Sequence, residues 1–168
     1  MLYLVTAILI WLFFFLTVLL HELGHAAGFR IGGGKGGWRV TVGSGAGLLN
    51  TARITICLFP IGGSFIPTKE DEPQTKSGKL LMLAGGPAAS LLLAVVFFVP
   101  SVFLRRTENV DPGTAQAVSS ALAFLFYANL FQFFFTVIPI RYRLVCRGLP
   151  SDGLQLLRML KHTGKTDR

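Results

Sequence analysis

Three residues capable of metal chemistry lie within five positions near the end of the first apolar stretch, in the pentapeptide His21-Glu22-Leu23-Gly24-His25. Two histidines four residues apart lie on one face of a helix, where both imidazoles can reach a single ion. Glu22 lies beside them, placed to accept a proton from water at that ion. The alternative is a chance pentapeptide or two buried structural histidines. Because histidine and glutamate are costly in an apolar segment, we favour a zinc site with Glu22 as general base.

The pentapeptide belongs to a chain whose composition is typical of a membrane protein. Of its 168 residues, 52% are hydrophobic and 14% are charged, against about 25% charged in a soluble domain. Apolar runs over about 2–29, 79–104 and 115–140 each reach the roughly 20 residues that a membrane-spanning helix needs. A signal peptide is a poor alternative for the first run, which has no basic start and no small-residue cleavage site after it. Nine residues, about 13 Å of helix, separate His21 from Arg30, which predicts a metal inside the hydrocarbon zone.

The segment between the first two runs has a different pattern. Residues 38–42 and 53–59 alternate and are rich in β-branched side chains, which predicts strands. A third, shorter extended piece is predicted near 62–67, and the glycine-rich stretch 32–37 is interpreted as a flexible connector. We therefore predict a small membrane-associated β-sheet over 38–67. Its open edge would be covered either by the rest of the sheet or by an extended substrate segment.

A short amphipathic segment follows the third run, over residues 152–161. Ser151 is a good N-cap residue for it, and its leucines alternate with Arg158 and Lys161, as in a helix at a membrane surface. The whole pattern predicts one membrane α-helical domain over residues 1–168. It consists of a core of three transmembrane helices, a small sheet between helices 1 and 2, and a short C-terminal interfacial helix.

The charge distribution predicts an orientation. The net charge is +8, and the basic residues cluster between the first two runs and after the last, with only Arg105 and Arg106 in the remaining connection. By the positive-inside rule the N-terminus is outside, and the C-terminus and the opening of the site are cytoplasmic. Contact with anionic lipid explains the charge without a nucleic-acid partner. Cys57 and Cys146 are then structural thiols on the reducing side, with no disulfide expected.

A catalytic zinc takes a third protein ligand and keeps one open position. Asp152 is the best-placed carboxylate, because it follows the third run at a helix start, where the dipole favours an ionised group. An ordinary helix-start aspartate is the alternative interpretation. The other candidates are disfavoured by a position on the opposite side of the membrane, in a solvated acidic loop or in the C-terminal tail: Glu108, Asp111, Glu70, Asp71, Glu72, His162 and Asp167.

Four sequence features, in chain order, carry a resemblance to a known family. They are the H-E-L-G-H pentapeptide, F-P-I-G-G at 59–63, G-G-P-A-A-S at 85–90 and D-G at 152–153. With these features the chain resembles the site-2 protease family of M50-type intramembrane zinc metallopeptidases, in a minimal form without a PDZ or other appended domain. The resemblance implies one zinc ion held by His21, His25 and Asp152, with Glu22 as general base.

The chain departs from the family pattern on the far side of the metal. Ser90 stands where the family often has asparagine. The family's Asn-x-x-Pro is replaced by T-V-I-P at 136–139, followed by an insertion of about a dozen residues before Asp152. The source of transition-state stabilisation is therefore open. Asn129 and Thr136 are the candidates for transition-state or substrate contacts.

The sequence as a whole predicts a zinc-dependent intramembrane endopeptidase. Its substrate would be a transmembrane protein cleaved within or beside a membrane span, in regulated proteolysis at a bacterial cytoplasmic membrane. The expected partners are that substrate and the lipid bilayer, with no nucleic acid; a regulatory partner is not identified. One alternative is a catalytically silent scaffold that keeps the metal site. Another is a membrane-tethered zinc protease with its site in a soluble helix, which needs a downstream glutamate ligand that the sequence does not offer.

Overall fold

The computed structural model describes residues 1–104, 111–142 and 148–161. Six of the residues discussed above lie outside the described residues: Arg105, Arg106, Glu108, Cys146, His162 and Asp167. The elements follow in the order α1 (Leu2–Ile31), β1 (Trp38–Asn50), β2 (Ile54–Pro67), a 3-10 turn (Lys69–Asp71), α2 (Lys76–Leu104), α3 (Pro112–Val137) and α4 (Asp152–Lys161).

Three of these helices, α1, α2 and α3, are long and apolar enough to cross a membrane, judged by length and composition. Each coincides with one apolar run of the sequence, and their ends differ from the predicted ones by a few residues. The end of α3 has a clear cause. Ile138, which precedes Pro139, is extended with φ −61° and ψ 126°, because a proline disfavours helical geometry in the residue before it.

Small residues hold α1 closely against α2. Gly24 and Gly28 of α1, and Gly32 at its C-cap, are spaced four apart and face backbone atoms of α2. A methyl group added at Gly24 would lie 2.6 Å from the Cβ of Ala89. Glycine at such spacing lets two helices approach along their backbones, which favours association inside lipid. The close approach places the second half of α1 directly against the start of α2.

The β-strands form an antiparallel sheet that packs on α1. The stretch from Val40 to Val42 pairs twice, with residues 63–65 and with residues 54–56. The third predicted extended piece is therefore the end of β2, and the start of β1 is covered by the sheet itself. Val40 and Val42 are buried against Phe15 of α1, and this small core fixes the sheet to the helix.

The glycine-rich connector after α1 is hydrogen-bonded, which differs from the flexible linker that its composition predicts. The carboxylate of Asp71 accepts a hydrogen bond from the backbone of Gly37 at 2.9 Å, and the Asp71 carbonyl accepts one from Lys35 at 3.3 Å. The Gly37 carbonyl in turn accepts from Thr68 at 2.9 Å. Asp71, interpreted from sequence as part of a solvated acidic loop, thus fixes the start of the sheet relative to α2.

Candidate metal centre

The centre begins with the two histidines of α1. His21 and His25 are one helical turn apart, with ring centroids separated by 5.0 Å. Both are buried, with 3% and 6% of their surface exposed. Residues 3–10 of the same helix are exposed. The histidines therefore lie where α1 is covered by α2 and the sheet.

Each imidazole is oriented by a group on α2 through its Nδ1 atom. His21 Nδ1 lies 2.8 Å from the hydroxyl oxygen of Ser90, and His25 Nδ1 lies 2.8 Å from the carbonyl oxygen of Met82. A carbonyl only accepts, so His25 donates through Nδ1–H, and its Nε2 atom faces Asp152. The backbone N–H of Gly86 also points toward His25 Nδ1, at 3.4 Å, but the shorter contact to Met82 decides the tautomer. Such outer contacts commonly orient histidine ligands.

Both Nε2 atoms converge on Asp152. Its Oδ2 lies 3.3 Å from Nε2 of His21 and 3.5 Å from Nε2 of His25. The three side chains each offer one ligand atom within 4.8 Å of the others. Ligands about 2.0–2.1 Å from a tetrahedral zinc are themselves about 3.3 Å apart. The two distances from Asp152 to the histidines therefore match edges of a tetrahedral metal site.

Asp152 reaches the histidines because the start of α4 is joined to the end of α3. Ser151 donates from its hydroxyl to the Ile138 carbonyl at 2.7 Å, and it accepts from the backbone N–H of Leu154 at 3.2 Å. The latter bond confirms Ser151 as the N-cap residue of α4. Gly153 lies in direct contact with the backbone of Val137, so any larger residue would push α4 away.

The Asp152 carboxyl is held in its ionised form. Burial raises its pKa, but hydrogen bonding and charge from His21 and His25 outweigh burial and lower the pKa to about 2. A carboxylate that is ionised at neutral pH binds a cation without first losing a proton. Asp152 can therefore act as an anionic ligand beside the two imidazoles.

Glu22 lies at the same turn of α1, facing the sheet. It is buried, with 5% of its surface exposed. A methyl group added at Gly63 of β2 would lie 2.9 Å from Cγ of Glu22 and 3.0 Å from its carboxyl carbon. The preceding Gly62 has φ +73°, a conformation that favours glycine. The glycine pair at the end of the F-P-I-G-G motif thus makes room for the Glu22 carboxylate.

A gap on α2 completes the centre. A Cβ added to Gly86 would lie 2.7 Å from Nε2 of His21 and 2.6 Å from Cε1 of His25. The missing side chain leaves space directly beside the two ligand nitrogens. Two imidazole nitrogens, one carboxylate and this space are the donor set and the room that a catalytic zinc needs. The residues present therefore fit a zinc ion.

The two predicted contact residues on α3 form hydrogen bonds within their own helix. Asn129 is fully buried and donates through Nδ2 to the Leu125 carbonyl at 2.8 Å, while its Oδ1 has no partner among the described residues. Thr136 donates to the Phe133 carbonyl at 3.1 Å. Among the described side chains, neither is hydrogen-bonded to the His–His–Asp cluster, so their predicted role stays a prediction.

Two other described carboxylates, Asp111 and Glu72, are engaged elsewhere. Asp111 caps α3 at the opposite end of the helices and accepts from the Thr114 backbone at 2.9 Å, which lowers the pKa of Asp111. Glu72 pairs with Lys79 at 3.4 Å. Within the described part of the chain, the one group of three or more histidine, cysteine or acidic side chains able to share an ion is the His–His–Asp cluster.

The groups of α2 and β2 that surround the metal cluster and Glu22 could not be recognised as such from the sequence. Met82 acts through its backbone carbonyl, which carries no residue-type signal. Gly86 and Gly63 lie in two of the motifs that carry the family resemblance, but the motifs alone do not show that these glycines make room for the histidines and for Glu22. Ser90 was noted as a departure from the family pattern, and its hydroxyl now has a partner in His21.

Fold and site together define a helical protein with three membrane-length helices and a His–His–Asp cluster that could hold a metal ion. The sequence profile of Peptidase family M50 matches residues 9–142, most of the chain. The chain belongs to Peptidase family M50, the family of the site-2 proteases. No curated protein sequence matches the chain significantly. The profile match includes His21, Glu22 and His25 and ends before Asp152, so the third ligand rests on the geometry of the cluster.

Proposed function

We propose that this protein is a zinc-dependent intramembrane endopeptidase that cleaves a peptide bond within or beside a transmembrane segment of a membrane protein. One observation carries the proposal. Two of the three donors of the metal cluster, with an adjacent buried glutamate, lie on a helix that is long and apolar enough to span a membrane. Family membership supports the same chemistry. Polar groups of this kind are expensive in lipid and mark function there.

His21, His25 and Asp152 would hold the ion. Bound zinc supplies Lewis acidity, which activates a water molecule and polarises the scissile carbonyl. Ser90 and Met82 keep the Nε2 atoms of the two imidazoles turned toward the ion. The protein thereby presents one face of α1 to the scissile peptide bond, and the space at Gly86 remains free of side-chain atoms.

Glu22 acts as the general base. It accepts the proton of the attacking water and delivers that proton to the nitrogen of the leaving amine, as the carbon–nitrogen bond breaks. Its position against Gly63 keeps the carboxylate beside β2. A substrate helix has its carbonyls engaged in backbone hydrogen bonds, so the substrate must unwind locally before a carbonyl reaches the centre.

The proposal includes a place and an orientation. The three long helices cross the bacterial cytoplasmic membrane as one domain, α4 lies at the cytoplasmic surface, and the N-terminus is outside. The basic residues between α1 and α2 and after α3 support this orientation. Arg30 lies in the last turn of α1, on the predicted cytoplasmic side, about 13 Å of helix beyond His21.

The test compares membrane-protein fragments in cells that produce the wild type, Glu22→Gln or Glu72→Gln. Removing a general base lowers the rate about 10²–10⁴-fold, so we expect fragments that depend on Glu22. Glu22→Gln should still bind zinc. Glu72→Gln changes a carboxylate of the surface pair with Lys79 and should cleave normally. Identical fragments in all three strains would exclude the protease and leave the silent metal-binding scaffold.

A further inference from the structure

An apolar groove of about 200 Å³ lies between α1 and the sheet, outside the metal cluster. We call it the α1–sheet groove. Its six lining residues are all apolar: Leu12, Phe15, Leu16, Leu19, Val42 and Ile56. The mechanism proposed above does not use any of them.

The groove lies next to Glu22 along α1. Leu19 and Phe15 precede Glu22 by three and seven residues, so they share its face of α1. On the sheet side, Val42 pairs with Gly63, the glycine that packs on the Glu22 carboxylate. Along the helix the groove begins about 4.5 Å from Glu22 and extends to Leu12, about 15 Å away. It leads away from Arg30, toward the N-terminal end of α1.

Distance sets what can reach the groove from the metal centre. A locally unwound peptide advances about 3.3 Å per residue. When the scissile bond of such a peptide lies beside Glu22, the side chains about one to four residues away from that bond would therefore lie over the groove. A whole helix, about 10–12 Å across, is too wide to enter. The groove can accept a side chain from an unwound segment.

Size and lining decide which side chain fits. A cavity of roughly 150 Å³ lined by leucine, isoleucine and phenylalanine binds benzene. At about 200 Å³, the groove holds one large branched or aromatic side chain. Lipid tails are as apolar as leucine, so the gain on entry comes from close packing against the walls rather than from leaving water. A polar side chain would lose hydrogen-bonding partners there.

We propose that the α1–sheet groove is a specificity subsite that receives one large apolar side chain of the substrate. That side chain belongs to the part of the substrate's membrane segment that lies between the metal centre and the N-terminal end of α1. The inference rests on the proposed protease function, because it needs a peptide at the metal centre. It adds a sequence preference to that function. The selected residue lies a few positions from the cleaved bond.

Photo-crosslinking tests the subsite without requiring cleavage. Zinc-loaded Glu22→Gln protein in phosphatidylethanolamine–phosphatidylglycerol vesicles is mixed with a synthetic leucine–alanine transmembrane peptide that carries one photo-leucine. After irradiation, mass spectrometry locates the adducts. We expect adducts at Leu12 and Leu16 of the groove and few at Leu92 of α2, a lipid-facing leucine that is 63% exposed. Peptide adducts at Leu12 and Leu16 no more abundant than at Leu92 would overturn the inference.

Two further arms distinguish the occupant and separate the two proposals. Leu19→Trp fills the groove and should abolish the groove adducts while zinc binding stays intact, whereas Leu92→Trp should change neither. A diazirine-labelled phospholipid should be displaced from the groove by unlabelled peptide; equal lipid labelling at saturating peptide would make the groove a lipid site and overturn the inference. If cleavage depends on Glu22 but no adducts form in the groove, the subsite is wrong and the protease function stands. If adducts form in the groove but no cleavage depends on Glu22, the protease function is wrong.

Discussion

The two ends of the helical core differ sharply in how they are packed. At the site end, where the last third of α1 meets the first half of α2 and α4, His21 and His25 are almost fully buried. At the far end, Tyr3 and Leu4 of α1 are 89% and 66% exposed. In lipid an apolar side chain gains little by leaving its surroundings. Close packing is therefore concentrated where polar groups have to be held in place.

Residues of the same kinds occur at both ends, which makes the comparison testable. Each end has an aspartate at a helix start, a glycine in a helix and a buried serine hydroxyl. At the site end they serve the metal cluster, and at the far end they serve helix capping and packing. The pairs are Asp152 and Asp111, Gly86 and Gly113, and Ser90 and Ser119.

The aspartate pair should give the largest difference. Asp152→Ala removes one of three ligand groups that lie within 4.8 Å of one another, and we expect zinc content to fall to the level of chelator-treated protein, with cleavage lost. Asp111→Ala removes the capping bond to Thr114 and should lower only the unfolding temperature. Zinc analysis of both purified variants makes the measurement. Full zinc occupancy in Asp152→Ala would remove this residue from the site.

The glycine pair should give the next largest effect. Gly86→Ala places a methyl group 2.7 Å from Nε2 of His21, so the imidazoles must move. A displacement of about 1 Å at a catalytic group costs on the order of 100-fold in rate. Gly113→Ala meets only the Asp111 carboxylate, at 3.3 Å, and should cleave normally. Equal rates for the two variants, measured on one Glu22-dependent substrate, would mean that the space beside the histidines is not needed.

The serine pair should give the smallest effect. Ser90→Ala removes the hydroxyl 2.8 Å from His21 Nδ1, and loss of such an outer contact typically weakens metal binding 10–100-fold. Ser119→Ala removes a 2.9 Å hydrogen bond to the Ser101 carbonyl. Interhelical hydrogen bonds in membranes contribute about 0.6 kcal/mol to stability on average, so this variant should be slightly less stable and should bind zinc as the wild type does. Competition with a zinc chelator measures both. If Ser90→Ala binds zinc as tightly as wild type, the two hydroxyls are equivalent.

Much of the architecture could be predicted from local sequence. The three apolar runs coincide with α1, α2 and α3, because a run of about 20 apolar residues has few alternatives to a helix. The short helix with its Ser151 cap starts at Asp152, as predicted. The family could likewise be recognised from its motifs, and the profile match confirms it.

Other features depended on contacts that composition does not encode. The glycine connector, read as flexible, is held by Asp71, which follows it by more than thirty positions in the chain. The third extended piece joined β2 because its pairing with β1 is set by register. Neither outcome follows from residue types, because both depend on which distant backbone groups become neighbours.

By itself, the sequence determined the chemical components of the centre. Two imidazoles and a carboxylate lie within five residues, on a helix too apolar for them to be there without a role. Only the tertiary structure decided the geometry. It brought Asp152 to within 3.5 Å of both histidines across more than a hundred residues, and it placed Ser90, Met82 and Gly86 around them. The physical reason is that helical periodicity fixes neighbours within one element, whereas close packing between elements fixes the rest.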